Sequence, residues 1–228
     1  MSQNELFLRE AEALKPKLLI STKEAYGSSR ALRKGEETLL DLGGHAVGYP
    51  ILHLKPEGRI PDAPILLSVR FYESSEEFHD KPERYKGWIC ASWIQEDRIH
   101  VDVIPCAQRM NRRYAFRYIK VKVLEAPRGL SVRVEKIVVE AVSSADDSRL
   151  RPFAGKEQDR RMDMVAVHTL HECMQEVFED GPKRDRRLWL GISAPTGFGK
   201  LRNLPRFPNG QAVPPPVCRG YTGGRACI

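Results

Sequence analysis

Four segments of the sequence alternate between apolar residues and polar or small ones, and this pattern limits the possible folds most strongly. Alternation with a period of two places one set of side chains on one face of a half-buried strand. Turn residues separate the segments, as in Gly43-Gly44 and in residues 126–129. The pattern predicts a mainly β fold, an antiparallel, jelly-roll-like β-sandwich over residues 36–144. The alternating apolar sets are Leu67, Val69 and Phe71; Ile99, Val101 and Val103; Ile119, Val121 and Val123; and Leu130, Val132 and Val134.

The period changes after Ser144. Val167, Leu170, Met174 and Val177 recur at steps of three and four, which predicts one apolar helix stripe from Asp159 to Glu179. Gly181 and Pro182 follow as helix-stop residues. Residues 145–191 are therefore interpreted as a linker, a helix and a charged loop. Residues 1–35 are interpreted as a short helix, Asn4 to Leu14, and a lead-in to the sheet.

The net charge of +7, from 37 Lys and Arg against 30 Asp and Glu, is concentrated at one end. Residues 192–228 contain five basic residues and no acidic ones, so residues 1–191 carry 32 basic and 30 acidic groups. The tail also contains six of the 16 prolines and six of the 17 glycines, which predicts disorder. We expect neither a nucleic acid nor a membrane as partner. The acidic start without a signal peptide and the absence of a ~20-residue apolar run predict a cytoplasmic location.

Candidate chemistry lies after the predicted helix, in residues 178–191. This segment combines carboxylates and arginines with Trp189. Carboxylates and guanidinium groups hold sugar hydroxyls by directed hydrogen bonds, and a Trp offers an apolar face to a pyranose ring. A carboxyl group beside an apolar ring can serve as a general acid. The alternative interpretation is a solvated charged loop that follows a helix.

Residues 170–191 resemble the entry to the catalytic domain of bacterial inverting α-L-rhamnosidases, through a D-x-P-x-R-[D/E]…W-x-G pattern. Residues 40–49 and 113–121 resemble the β-domain that precedes the barrel in that family. The resemblance implies cleavage of terminal α-L-rhamnose with inversion, no cofactor, and rhamnose-containing glycosides as partners. It implies that Asp185 is the general acid, that Asp180 and Arg184 hold the rhamnose hydroxyls, and that Trp189 forms an aromatic wall.

The sequence departs from the family pattern at Ile192, where the family has Asp. We expect that the six-hairpin α/α barrel begins with the predicted helix and is truncated or frameshifted after Gly191. An inverting glycosidase needs a second carboxylate, so we expect little or no activity from this chain alone. A helix without its barrel partners could self-associate through Val167, Leu170 and Met174. The alternative function is a non-catalytic carbohydrate-binding β-sandwich that uses Trp88 or Trp93.

Other patterns favour structural roles. His168, His171 and Glu172 lack the H-E-x-x-H order of a zinc helix, so no metal site is predicted. Asp41 lies near a turn, where Asp usually accepts backbone hydrogen bonds. Arg112, Arg113 and Tyr114 mix cations and an aromatic ring, as nucleic-acid-binding proteins do, but on strands the tyrosine is expected in the core and the arginines at its rim.

Overall fold

The computed structural model describes residues 18–27, 29–58, 64–80, 84–86, 93–145, 155–184 and 186. The predicted helix at Asn4–Leu14 and the predicted disordered tail lie outside this part of the chain. Seven strands, one 3₁₀ helix and one α-helix make up the described elements. They are β1 (Leu19–Tyr26), β2 (Glu37–Gly58), β3 (Ile65–Tyr72), the 3₁₀ helix (Ser75–His79), β4 (Gln95–Val101), β5 (Cys106–Arg109), β6 (Tyr114–Glu125), β7 (Leu130–Ser143) and α1 (Glu157–Cys173).

The seven strands form one antiparallel sheet in the order β1-β7-β2-β6-β3-β4, with β5 also paired to β2. The first half of β2 pairs with β6, in a register that places Leu40 opposite Ile119. The second half pairs with β7 and β5, and there Leu52 lies opposite Ile137. The sheet therefore has two parts that share β2, as the predicted mainly β, sandwich-type fold requires.

Gly48 is the residue at which β2 passes from one partner to the other. It pairs with Tyr114 of β6 and also with Ala141 of β7. A Cβ atom at Gly48 would lie 2.2 Å from the carbonyl oxygen of Glu140 and 2.7 Å from the Cα of Ala141. No side chain fits at that distance, so this crossing of strands requires glycine.

The two parts of the sheet enclose a single apolar core. Leu40, Leu52, Leu67, Val121 and Ile137 all belong to it, and each is at most 4% exposed. The alternation predicted for β3, β6 and β7 is confirmed, since every member of those three sets except Leu130, at 6%, is at most 2% exposed. In the remaining set Val103 is 71% exposed, because β4 ends at Val101.

Strand β1 was not predicted from the sequence. It pairs with β7 along its whole length, from Leu19 opposite Ser143 to Tyr26 opposite Lys136. Its apolar side chains do not alternate, because Leu19 and Ile20 are adjacent and both are exposed. Pairing with a long neighbour, and not burial of one face, therefore determines this edge strand.

The α-helix after the sheet is confirmed, but its predicted end is wrong. It runs from Glu157 to Cys173, and the chain then turns at Met174, whose ψ is 91°. Met174 forms a β-bridge with Phe178, and its carbonyl accepts a hydrogen bond from the amide of Ser144 (2.8 Å). Tertiary contacts therefore end the helix before the stop residues Gly181 and Pro182.

The chain divides into two compact units. The sheet unit is Leu19–Ser143 with Gly181–Arg186, and the helix unit includes Ser144–Asp180. The helix unit has its own small core of Ala145, Leu170, Cys173, Met174 and Phe178. Within the described ranges, no helix combines the length and apolar composition needed to cross a bilayer.

Candidate functional site

The motif loop, Gly181–Arg186, belongs to the sheet unit although it follows the α-helix in sequence. It contains two of the residues selected by sequence, Arg184 and Asp185. Arg184 is exposed, and Asp185 lies outside the described residues. The loop is attached to the sheet unit through Lys183 and Arg186, which lie on either side of these two residues.

Lys183 is the buried anchor of the motif loop, with 7% of its side chain exposed. Its Nζ forms a charge-assisted hydrogen bond to Glu77 of the 3₁₀ helix and lies 3.8 Å from Oε2 of Glu73. The ammonium group also lies 5.5 Å from the ring centroid of Trp93, within cation–π range. A buried ammonium group is costly without such partners, so these three residues determine where Lys183 can sit.

The backbone of the loop is held as well. Nε2 of Gln95, a buried residue at the start of β4, donates a hydrogen bond to the carbonyl oxygen of Lys183 (3.1 Å). This contact joins the loop to the sheet at a second atom of the same residue. The main-chain position of the loop therefore does not depend on the ion pair alone.

Arg186 closes the other end of the loop. Its Nη2 donates to the carbonyl oxygen of Arg113 (2.6 Å) and its Nε donates to that of Pro182 (2.9 Å). Its φ of 49° lies in the left-handed region, which is uncommon for a residue other than glycine. Such a conformation persists where surrounding contacts stabilise it, as these two hydrogen bonds do.

Glu73, a carboxylate near the loop, lies close to both His45 and Lys183. Nε2 of His45 lies 3.0 Å from Oε1 of Glu73. Burial would raise the pKa of Glu73, but the hydrogen bond with His45 and the charge of Lys183 outweigh it, so this pKa is lowered. Glu73 therefore stays ionised and suits a structural ion pair better than it suits proton donation.

The other predicted site residues lie only partly within the described residues. Asp180 is exposed and belongs to the helix unit, whereas Arg184 belongs to the sheet unit. Trp189 and Trp88 lie outside the described residues, as Asp185 does. Trp93 is half-buried, and its ring meets that of Tyr85 edge-on at 5.7 Å.

The structural interpretations of Asp41 and Tyr114 agree with the contacts. Asp41 accepts a hydrogen bond from the amide of Gly43 and two from the guanidinium of Arg117, each 2.8 Å long. The hydrogen bond from Arg117 lowers the pKa of Asp41 most strongly. Tyr114 is fully buried and stacks on Phe71 with ring centroids 3.8 Å apart.

Among the described residues, no three His, Cys, Asp or Glu side chains are grouped as metal ligands.

Sequence reasoning missed Lys183, Glu73 and Glu77. The acidic residues at positions 73, 76 and 77 were visible as a cluster, and Lys183 stood within the motif. Their pairing joins positions 106 residues apart for Glu77 and Lys183. No local pattern carries that information.

Comparisons with known proteins agree with the fold. The sequence model of the glycosyl hydrolase family 78 α-rhamnosidase N-terminal domain matches residues 10–141. The structure of a rhamnosidase from Klebsiella oxytoca with rhamnose bound is similar, with 36% identity and a TM-score of 0.73. That match covers 82% of this chain and 41% of the Klebsiella protein, so the chain spans less than half of its length.

Two more distant structures share the fold. A family 78 rhamnosidase of Bacillus sp. GL1 is 16% identical, with a TM-score of 0.53, over 69% of this chain and 15% of its own. The α-L-rhamnosidase from Dictyoglomus thermophilum is also 16% identical with a TM-score of 0.53, over 79% of this chain and 19% of its own. No curated protein sequence matches the chain.

Proposed function

We propose that this chain, which belongs to the family of glycosyl hydrolase family 78 α-rhamnosidase N-terminal domains, supplies the acid-bearing loop of an α-L-rhamnosidase. The observation that carries the proposal is the anchoring of the motif loop on both sides of Arg184 and Asp185, by Lys183 and Arg186. Catalytic groups act through precise placement, and a loop held at both ends restricts the positions that they can take.

In this proposal Asp185 protonates the leaving oxygen of a terminal α-L-rhamnoside, which is cleaved with inversion. Asp180 and Arg184 hold the rhamnose hydroxyls, and Trp189 packs against the sugar ring. Inversion also requires a base about 6.5–9.5 Å from the acid, with a water molecule between them. No residue of this chain is assigned that role, so we expect little or no hydrolysis by the chain alone.

A chimera tests the role of Asp185 in a protein that also contains the remaining part of a rhamnosidase. Residues 1–191 would be joined to the remainder of the Klebsiella oxytoca rhamnosidase and assayed with an aryl α-L-rhamnoside. We expect turnover, and we expect Asp185→Asn to lower it by roughly 10²–10⁴-fold, as for loss of a general acid. Asp163→Asn, a change of the same kind on α1, is the control. An active Asp185→Asn chimera would exclude Asp185 as the acid.

The chain by itself is the second arm of the experiment. We expect background turnover of the same aryl rhamnoside, with no difference between the wild type and Asp185→Asn. Robust turnover that Asp185→Asn abolishes would contradict the expected inactivity, although it would support the role of Asp185.

A non-catalytic carbohydrate-binding β-sandwich is the second candidate function. An open polar cleft on the outer face of β3, β4 and β6 favours it. Calorimetric titration with rhamnose-containing oligosaccharides distinguishes the two functions. Saturable binding that survives both Asp185→Asn and Arg184→Ala, without turnover, would support the binding module over the acid loop.

The cytoplasmic location and the self-association of α1 stay predictions. Val167 and Leu170 are half-buried, and Met174 is buried within the helix unit. Self-association would therefore use the more exposed apolar side chains of the helix, and equilibrium sedimentation of a variant with those residues changed to Gln would test it. These side chains are Met162, Met164 and Val165.

A further inference from the structure

A charged cleft lies on the face of β3, β4 and β6 that points away from the core. Its volume is about 420 Å³, within the range of roughly 300–1,000 Å³ that small-molecule sites occupy. Phe78 and Leu124 also contribute to its lining. The charged lining consists of four cations, Arg70, Arg98, Lys120 and Lys122, and two carboxylates, Glu37 and Glu96.

The sheet register explains the hollow. Ser68 of β3 lies opposite Arg98 of β4 and opposite Lys122 of β6, so the two long cations flank one short residue. Ser68 is 5% exposed and forms part of the floor. Adjacent strands are about 4.8 Å apart, which separates the Cα atoms of Arg98 and Lys122 by roughly 10 Å. This spacing leaves room between the two cationic side chains for a small ligand.

The other two cations of the cleft, Arg70 and Lys120, are paired with its two carboxylates. Nε of Arg70 donates to Glu96 (2.6 Å), and Oγ of Ser68 donates to the other carboxylate oxygen (2.7 Å). Lys120 lies 3.4 Å from Oε1 of Glu37. Among the described residues, Arg98 and Lys122 take part in no ion pair. The cleft therefore presents two positive charges that no described carboxylate pairs with.

We propose that this cleft binds a carboxylated sugar, such as a hexuronate unit of an acidic glycan, between Arg98 and Lys122. A guanidinium group recognises a carboxylate through two parallel hydrogen bonds. Glu37 and Glu96 are already paired, but each carboxylate keeps lone pairs that can accept hydrogen bonds from sugar hydroxyls. Their negative charge disfavours a dianion such as phosphate more than the single charge of a uronate. Phe78 and Leu124 offer apolar surface to the C–H groups of a sugar. This site is independent of Asp185 and of rhamnoside cleavage.

Titration of the full chain with glucuronate, glucose and inorganic phosphate tests the proposal. We expect saturable binding of glucuronate that weakens as salt concentration rises, and no saturable binding of glucose. Glucose differs from glucuronate in lacking the carboxylate, so it isolates the contribution of that group. Equal binding of glucose, absence of glucuronate binding, or tighter binding of phosphate would each overturn the proposal.

Two variants identify the residues responsible. Arg98→Gln and Lys122→Gln should each weaken glucuronate binding by roughly tenfold, the usual effect of losing one charge-assisted hydrogen bond. Lys55→Gln removes the same charge from a lysine paired with Glu135 elsewhere on the sheet, and should leave affinity unchanged. Arg98 is exposed, so its substitution leaves the fold intact. Wild-type affinity in Arg98→Gln, or an equal loss in Lys55→Gln, would contradict the assignment.

Discussion

At the scale of single residues, the buried ammonium of Lys183 is the most consequential contact, because three side chains of the sheet unit surround it. Replacing it with Met would leave Glu77 without its cation. We expect amide hydrogen exchange in the motif loop to accelerate by roughly 100-fold, because removing one partner of a buried pair costs about 3 kcal/mol. Mass spectrometry of peptides covering the loop measures this change.

The control for Lys183→Met is Lys55→Met, since Lys55 pairs with Glu135 at a site where both side chains are more than 40% exposed. Exposed ion pairs contribute only about 0–1 kcal/mol, so exchange in the motif loop should match the wild type. If both variants exchange alike, Lys183 does not anchor the loop.

Gly48 offers a second residue-scale prediction. Gly48→Ala places a methyl group 2.2 Å from the carbonyl oxygen of Glu140, and should lower the free energy of unfolding by about 3 kcal/mol through overpacking and backbone shifts. Gly44→Ala in the same strand meets nothing within 4 Å and is the control. Urea denaturation followed by circular dichroism compares them, and a Gly48→Ala protein as stable as Gly44→Ala would contradict the prediction.

At the scale of elements, β2 contributes to both parts of the sheet and its inward residues should dominate stability. Leu52 is fully buried, whereas Leu39 of the same strand is 43% exposed. Leu52→Ala should destabilise the protein by about 2–5 kcal/mol because it leaves a cavity, and Leu39→Ala by under about 1 kcal/mol. Comparable urea midpoints for the two variants would contradict the burial of Leu52 in the core.

The contact between the 3₁₀ helix region and the motif loop should depend on pH. The pKa of Glu73 is lowered from its ordinary value of 4.5, so its ionised form is favoured in the folded protein. Its stabilising contribution is complete above the unfolded pKa and is lost as pH falls through the lower folded pKa. Glu73→Gln should therefore flatten the decline of unfolding free energy between pH 5 and about pH 3; an unchanged slope would contradict this.

At the scale of the whole molecule, the positive charge belongs mainly to residues 192–228, which carry five basic residues and no acidic ones. We expect any affinity for a single-stranded oligonucleotide to be weak, to fall steeply with salt and to disappear when these residues are deleted. Fluorescence anisotropy measures this affinity. Binding retained by residues 1–191 would place a nucleic-acid site on the folded units.

Much of the fold follows from local patterns, because alternation reports which face of a strand is buried. Val121 and Val123 could be assigned to the core from their neighbours alone. The predicted end of the α-helix was wrong, because the β-bridge between Met174 and Phe178 ends the helix before the stop residues are reached. For the candidate site, the motif predicted Arg184 and Asp185, while Lys183 was passed over because its partners lie far away in the chain.

The sequence by itself determined the β character of the chain, the buried face of its central strands, the uneven distribution of charge and the family motif. Each depends on residues adjacent in the chain or on composition. Only the tertiary structure decided that β1 joins the sheet, that β2 changes partners at Gly48, and that Lys183 meets Glu73 and Glu77. Those outcomes depend on which distant segments pair in space, since an ammonium group gains stability only from the carboxylates that the fold brings to it.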